Sequence, residues 1–242
     1  MAELLVRQLL AGRDFAQRDG AAASMQNFVY LLGDREAGEC LVVDPAWDVQ
    51  GILDVAAAEG LRVVGALVTH YHPDHVGGSI FGLEVEGLPT LMARCPCPVH
   101  VHRAEAEGVR VVTGLSKSDL VEHDSGDRVE VGGLSIELLH TPGHTPGSQC
   151  FRVKATERES GGALVAGDTL FLQGCGRVDL PGGNVDEMYA TLTQRLSSLP
   201  GDTMLLPGHA YGGERATMAH VRQTNPTLRI ESLERFRARM GG

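Results

Sequence analysis

The chain has 242 residues, with 21 Lys and Arg against 31 Asp and Glu, a formal net charge of −10. That acidic balance excludes a nucleic-acid backbone as the main partner, because phosphate binding needs a basic face, and 43% hydrophobic residues spread along the whole length exclude disorder. No stretch is long and apolar enough to span a bilayer, Glu3 and Arg7 interrupt what would have to be a signal-peptide core, and five cysteines at irregular spacings argue against a disulfide framework; a cytoplasmic protein with no membrane partner is expected.

Alternating apolar and polar residues predict strands over Leu4–Leu9 and Asn27–Leu32, and a short apolar run predicts another over Cys40–Val43, ended by Asp44-Pro45. Val49–Glu59 carries Ile52, Val55 and Ala56 at helical spacing, with Gly60 as its stop. Leu61–Val68 reads as a buried strand. Pro98–His102 predicts a strand leading into a short helix over Ala104–Glu107. Arg128–Val131 and Leu134–Leu139 form a hairpin across Gly132-Gly133. Strands over Gln149–Val153 and Ala163–Ala166 follow, then a helix over Asp186–Ser198 with Met188, Leu192 and Leu196 on one face. Met204–Leu206 is a last strand, before helical patterns over Glu214–Arg222 and Ile230–Met240. Two runs of strands, each closed by helices, predict an α/β (α+β) chain of two sheets packed face to face with helices outside. Without a linker, one domain over 1–242 is expected, with a short helical tail over about 213–242.

Chemistry concentrates at four places. The first is His70-Tyr71-His72-Pro73-Asp74-His75, directly after a buried strand. It reads as a loop, since Pro73 interrupts a helix and Gly77-Gly78 follow. An extended backbone points His70 and His72 to one side, and imidazole with carboxylate is a donor set for zinc or iron. The others are Gly143-His144, Gly167-Asp168 and Gly208-His209, each just beyond an apolar strand. Each of these three alone is an ordinary turn. In this order, with the first, they place seven possible metal ligands on loops leaving sheet strands.

These motifs resemble the signature of the metallo-β-lactamase-fold superfamily, a His-x-His-x-Asp-His loop followed by a Gly-His, a Gly-Asp and a final Gly-His, over roughly Asn27 to Gly213. The resemblance implies a four-layer αββα sandwich. It also implies one divalent ion on His70, His72 and His144, a second on Asp74, His75 and His209, and Asp168 bridging them. Zinc is the first expectation and iron the alternative. Two such ions about 3.5–4 Å apart share a hydroxide that attacks a carbonyl carbon while they stabilise the oxyanion. Asp74 would add a catalytic role, orienting the nucleophile or taking its proton.

Within the superfamily, Asp168 stands where class B1 and B2 β-lactamases have cysteine, class B3 enzymes lack the bridging Asp, and His72 stands where flavodiiron proteins have Glu. The nucleic-acid-processing branch has a large inserted domain and a basic surface, and the sequence shows neither. Gly167–Phe171, Gly174–Arg177 and Gly208–Tyr211 are similar to glyoxalase II, a thioester hydrolase acting on acylated glutathione. That similarity implies that Arg177 and Tyr211 contact the thiol carrier. Glyoxalase II usually completes its glutathione site with a helical region longer than the stretch after His209 here. Extra sequence around Glu84–Glu122 is expected to reshape the pocket mouth. Gly174-Cys175-Gly176-Arg177-Val178-Asp179 is also similar to the Gly-Cys-Gly-Arg-Thr-Asp of persulfide dioxygenases, as is the tail with Asn225-Pro226. That family uses one iron on two His and one Asp, here His70, His144 and Asp168, a set suited to O₂.

The expected function is hydrolysis of a small-molecule thioester or related ester, a glutathione conjugate being one candidate, by metal-bound hydroxide. An iron-dependent persulfide dioxygenase, a lactonase and a non-catalytic metal-stabilised binding protein are the alternatives. A homodimer is compatible with the sequence. Several other residues are read as structural. Cys95-x-Cys97 is too tight for the usual zinc pair, and His100 and His102 share one face of a half-exposed strand. Cys175 is a small packed residue with a reactive thiol as the alternative, His140 ends a strand with support of the metals as the alternative, His123 and His220 lie on the surface, and Trp47 and Phe81 pack, a place near the pocket mouth being the alternative for Phe81.

Overall fold

The computed structural model describes residues 2–156 and 160–240. The first half contains β1 (Leu4–Leu10), α1 (Gly20–Met25), β2 (Phe28–Asp34), β3 (Glu39–Val43), α2 (Val49–Ala58), β4 (Arg62–Leu67), α3 (Pro73–Val76), β5 (Gly78–Ile80), β6 (Leu83–Val85), α4 (Leu88–Arg94), β7 (Val99–His102), α5 (Ala106–Thr113) and β8 (Leu120–His123). The second contains β9 (Arg128–Val131), β10 (Leu134–His140), β11 (Gln149–Val153), β12 (Ala163–Gly167), β13 (Leu170–Phe171), β14 (Gly174–Cys175), α6 (Val185–Ala190), β15 (Met204–Pro207), β16 (Ala216–Thr217), α7 (Met218–Thr224) and α8 (Leu233–Met240).

Two six-stranded sheets result, in the orders β1-β2-β3-β4-β7-β8 and β16-β15-β12-β11-β10-β9. Their hydrophobic faces define three buried layers. Phe28, Tyr30, Leu32 and Leu67 meet Ile136, Leu138, Phe151 and Val165 between the sheets. The outer face of the first sheet, with Val42 and Ala66, packs on Ile52, Leu88, Leu91 and Val109 from its helices. Cys150, Leu164 and Leu205 of the second sheet pack on Met188, Leu192, Met218 and Phe236. Strands buried on both faces read as continuous apolar runs, which is why all seven residues of β2 are buried. Helix, sheet, sheet and helix layers follow, as the resemblance implies. None of the helices among the described residues is long and apolar enough to cross a membrane.

Each sheet contains a parallel pair of inner strands, β3 with β4 and β12 with β15. Parallel strands end at the same edge, so the segments leaving β3, β4, β12 and β15 emerge together. Tyr30 ties the sheets at that edge. Its hydroxyl donates to the Pro207 carbonyl at 2.5 Å and accepts from Gln8 Nε2 at 3.1 Å.

Several boundaries differ from the sequence reading. Pro73 opens the one-turn helix α3 instead of keeping the segment a loop, because at the first helical position its missing N–H would have had no partner. The helix expected over Ala104–Glu107 runs over Ala106–Thr113, closed by Gly114 at φ +75°. The helix expected to Ser198 is regular only over Val185–Ala190; its following turns widen, with Leu196 N bonded to Thr191 O at 3.0 Å. Residues 216–217 pair with β15 before α7 begins, and the tail is part of the outer layer, Phe236 being buried against Tyr189. The region around Glu84–Glu122 mostly builds the edge of the first sheet and its helices. Only the β5–β6 hairpin before it reaches the pocket mouth.

Tyr30→Phe leaves the buried Pro207 carbonyl without its donor and should destabilise the fold by about 1–2 kcal/mol. Urea unfolding would show a lower midpoint with unchanged slope; an unmoved midpoint would mean this link between the sheets carries no weight.

Candidate metal centre

The seven residues expected as ligands converge on one spot at the strand edge. Three sets of side chains have ligating atoms close enough to share an ion: His70, His72 and His144; Asp74, His75 and His209; and Asp44, His70 and His75, which overlaps the first two and in which Asp44 is already bonded to Thr69 and His75. In the first, His72 Nδ1 lies 3.1 Å from His70 Nε2 and 3.0 Å from His144 Nε2. In the second, His75 and His209 Nε2 are 3.2 Å apart, and Asp74 Oδ2 is 3.5 and 3.4 Å from them. Asp168 lies between. Its Oδ1 is 3.4 Å from His209 Nε2 and 3.5 Å from His75 Nε2, while Oδ2 is 3.7 Å from His144 Nε2. Asp168 Oδ1 is buried and has no hydrogen-bond partner. A buried carboxylate oxygen is costly without a partner, and imidazole with carboxylate donors fits divalent cations. The residues therefore fit two such ions.

The outer nitrogens explain why the lone pairs face inward. His75 Nδ1 is 2.9 Å from Asp44 Oδ2, His144 Nδ1 is 2.7 Å from the Arg177 carbonyl, and His209 Nδ1 is 2.7 Å from the Met25 carbonyl. Thr69 Oγ1 donates to Asp44 Oδ2 at 2.6 Å, so it accepts from His70 Nδ1, 3.0 Å away. Each of these four rings thus carries its proton on Nδ1 and presents Nε2, the arrangement by which outer partners orient metal-binding imidazoles. Asp74 is held by Asn27, whose amide donates at 3.0 Å and whose oxygen accepts from the Trp47 indole at 3.0 Å. Glycine before Asp168 and before His209 permits the close approach of these loops. Gly167 sits at φ +47° against Thr69, and a methyl group on Gly208 would run into Asp168 Oδ1.

The electrostatics divide the site. Burial and neighbouring imidazoles hold His70 well below its usual range and His72 down at about 4. Burial also opposes charge on His75, but Asp74, Asp168 and Asp44 outweigh it and lift it to about 10; His209 is raised likewise against burial, chiefly by Asp168. Asp168 is held well below the carboxylate range, His209 and His75 outweighing its burial. His70 and His72 present neutral nitrogens, whereas a cation entering beside His75 and His209 must displace protons.

Asn27, Asp44, Trp47, Thr69 and Glu105 escape the sequence reading. Asp44 ends an apolar strand just as Asp168 and His209 do, so position carries a signal for it. Glu105 has none. At the start of α5 it makes no capping bond; it turns inward, 1% exposed. It accepts from Tyr71 N, Gly147 N and Thr145 Oγ1, each at 2.7 Å. Burial lifts its carboxyl to about 7 against the pull of these donors. One carboxylate thus clamps the His70–His72 loop to the loop of His144.

Arg177 and Tyr211 both line the pocket above the centre. Arg177 is engaged by Asp179 at 2.9 and 2.7 Å, and the Tyr211 hydroxyl donates to the Met25 carbonyl at 3.0 Å while its ring stacks on His209. Cys175 also lines it, and burial pushes its thiol up to about 12, so it stays protonated. Trp47 is part of the Asn27 support. Phe81 does not pack, being 91% exposed. His123, expected on the surface, is largely covered, its Nε2 2.9 Å from His100 Nδ1. His102 stacks on His140, and Cys95 and Cys97 pack against the first core. Among the described residues, none of these joins a cluster of three or more ligating groups. His220 is exposed.

The sequence profile of the metallo-β-lactamase superfamily matches residues 24–209; the chain belongs to that superfamily. The chain is 32% identical to the human mitochondrial persulfide dioxygenase ETHE1, across 100% of this chain and 89% of that protein. It is 37% identical to a hydroxyacylglutathione hydrolase of Polaromonas sp., across 77% of this chain and 63% of that protein. Among solved structures, ETHE1 from Myxococcus xanthus superposes with a TM-score of 0.76 at 28% identity, covering 98% of this chain and 90% of that one.

Glu105→Ala should weaken metal binding about tenfold, within the range for outer partners of metal ligands. Elemental analysis after dialysis against a weak chelator, with circular dichroism to confirm folding, measures this. Wild-type metal content in a folded variant would mean the two loops hold themselves.

Proposed function

We propose that the protein is a metallohydrolase that cleaves a thioester or related ester at a dinuclear centre. The observation that carries this reading is the placement of Asp168, whose two oxygens face different triads while Oδ1 has no hydrogen-bond partner. On this reading His70, His72 and His144 hold one ion, Asp74, His75 and His209 the other, and Asp168 both. Bound there, divalent ions would supply Lewis acidity and lower the pKa of water. The protein's own part is orientation and proton handling. Asp74, fixed by Asn27, is the carboxylate placed to take a proton beside the reacting atoms. The Nδ1 partners keep four imidazoles from turning. Phe171 and Leu180 line an apolar approach that keeps bulk water away. All five cysteines are free thiols, which suits a reducing compartment.

A second reading is favoured by one observation. The similarity to the persulfide dioxygenase runs across the whole chain, whereas that to the hydrolase covers 63% of the relative. On that reading a single iron sits on His70, His144 and Asp168.

Metal content of protein purified without added metal separates the two, with oxygen uptake on glutathione persulfide beside thioester turnover. About two ions per chain, thioester cleavage and no oxygen uptake are expected. Asp168→Asn should retain less metal and lose at least about a hundredfold in kcat. One iron per chain with oxygen consumption would overturn the hydrolase reading.

A further inference from the structure

The metal pocket is a cavity of about 620 Å³ whose walls, beyond the proposed ligands, are chiefly apolar: Met25, Ile80, Phe81, Phe171, Leu180 and Pro181. Beyond the proposed ligands Arg177 is the one cation among its lining residues, and Asp179 accepts two hydrogen bonds from its guanidinium. The Tyr211 hydroxyl, another polar group above the centre, gives its hydrogen to the Met25 carbonyl.

At the mouth, β5 and β6 form a hairpin in which Ile80 pairs with Leu83. The two turn residues, Phe81 and Gly82, have φ of +52° and +79°. Such a turn favours Asn-Gly, and a bulky residue is disfavoured in the left-handed region. Phe81 is nevertheless the turn residue, and its side chain is 91% exposed. Neither backbone preference nor burial in the chain itself accounts for phenylalanine here. An unfavourable conformation at a pocket points to a role in that pocket.

We infer that Phe81 is a specificity residue, and that the substrate carries an uncharged apolar group, aliphatic or aromatic, seated between Phe81, Phe171 and Leu180. This inference rests on the hydrolase reading for the bond cleaved but on the pocket alone for the group bound. A glutathione carrier, with two carboxylates and an ammonium, meets on these walls, beyond the proposed ligands, one charged side chain, Arg177, which is already paired with Asp179. A benzyl or alkyl carrier buries its surface against Phe81, and burying a group of that size supports a preference of tenfold or more.

The test uses the full metal-loaded chain and two acetyl thioesters that share an acyl group, one of benzyl mercaptan and one of glutathione. Calorimetric binding of the two free thiols provides a readout independent of turnover. At least about a tenfold preference for the benzyl compounds is expected in kcat/KM and in Kd. In Phe81→Gly that preference should fall toward one, with metal content and melting temperature maintained, because glycine is at home at positive φ. A preference for glutathione, or a benzyl preference unchanged in Phe81→Gly, would overturn the assignment. Benzyl mercaptan binding that depends on Phe81, with neither thioester cleaved, would uphold the pocket and sink the hydrolase reading. Cleavage of both with no preference would do the reverse.

Discussion

Everything at the strand edge is arranged around one electrostatic problem. Imidazole nitrogens face each other at 3.0–3.2 Å, and two carboxylates lie among them, in a site largely closed to water. Lone pairs and carboxylates crowd together without cost only if positive charge sits among them, as protons or as metal. The chain alone achieves this in part: His75 and His209 are driven toward protonation, while His70 and His72 are driven away from it. Asp168 Oδ1 is left with no hydrogen-bond donor. Divalent cations would resolve the same crowding, and the donor set suits them.

Holding such a cluster requires a scaffold that cannot relax. The parallel pairs β3–β4 and β12–β15 bring four strand ends to one edge, and β2 is zipped to the His209 segment through Phe28 N to Gly208 O and Ala210 N to Gln26 O. Behind the cluster, Asp44 and the carbonyls of Met25 and Arg177 fix the rings, and Glu105 ties two loops whose ligands are more than seventy residues apart in sequence. These partners do no chemistry on a substrate. They convert flexible side chains into a rigid donor set, and rigidity is what lets a site distinguish a reacting geometry from a resting one.

The pocket above shows where a shared centre gains selectivity. The inner wall does not separate the two readings, since one set of His and Asp residues serves either. The outer wall is built differently: a hairpin tip with an aromatic residue in an unfavourable backbone conformation, an arginine paired with Asp179, and a tyrosine whose hydroxyl donates to the Met25 carbonyl. Specificity resides in these groups because they meet the part of a substrate that the metals do not touch.

Much of this was legible in the residues alone. Apolar runs marked the strands because they are buried on both faces, and the His-x-His-x-Asp-His loop, Gly143-His144, Gly167-Asp168 and Gly208-His209 stood out because ligands and the glycines that permit close approach are consecutive in the chain. Helix ends were less legible, since α3 depends on Pro73 at its first position and the turns after Ala190 widen under packing on the second sheet. What the chain order cannot express is convergence. That Asp168 divides its oxygens between two triads, that Glu105 turns inward from a helix start, and that Phe81 stands exposed over the centre are decided by which strand edges meet in space. Local sequence specifies a residue's type and its neighbours along the chain, whereas its partners across the sandwich are chosen by the packing of both sheets together.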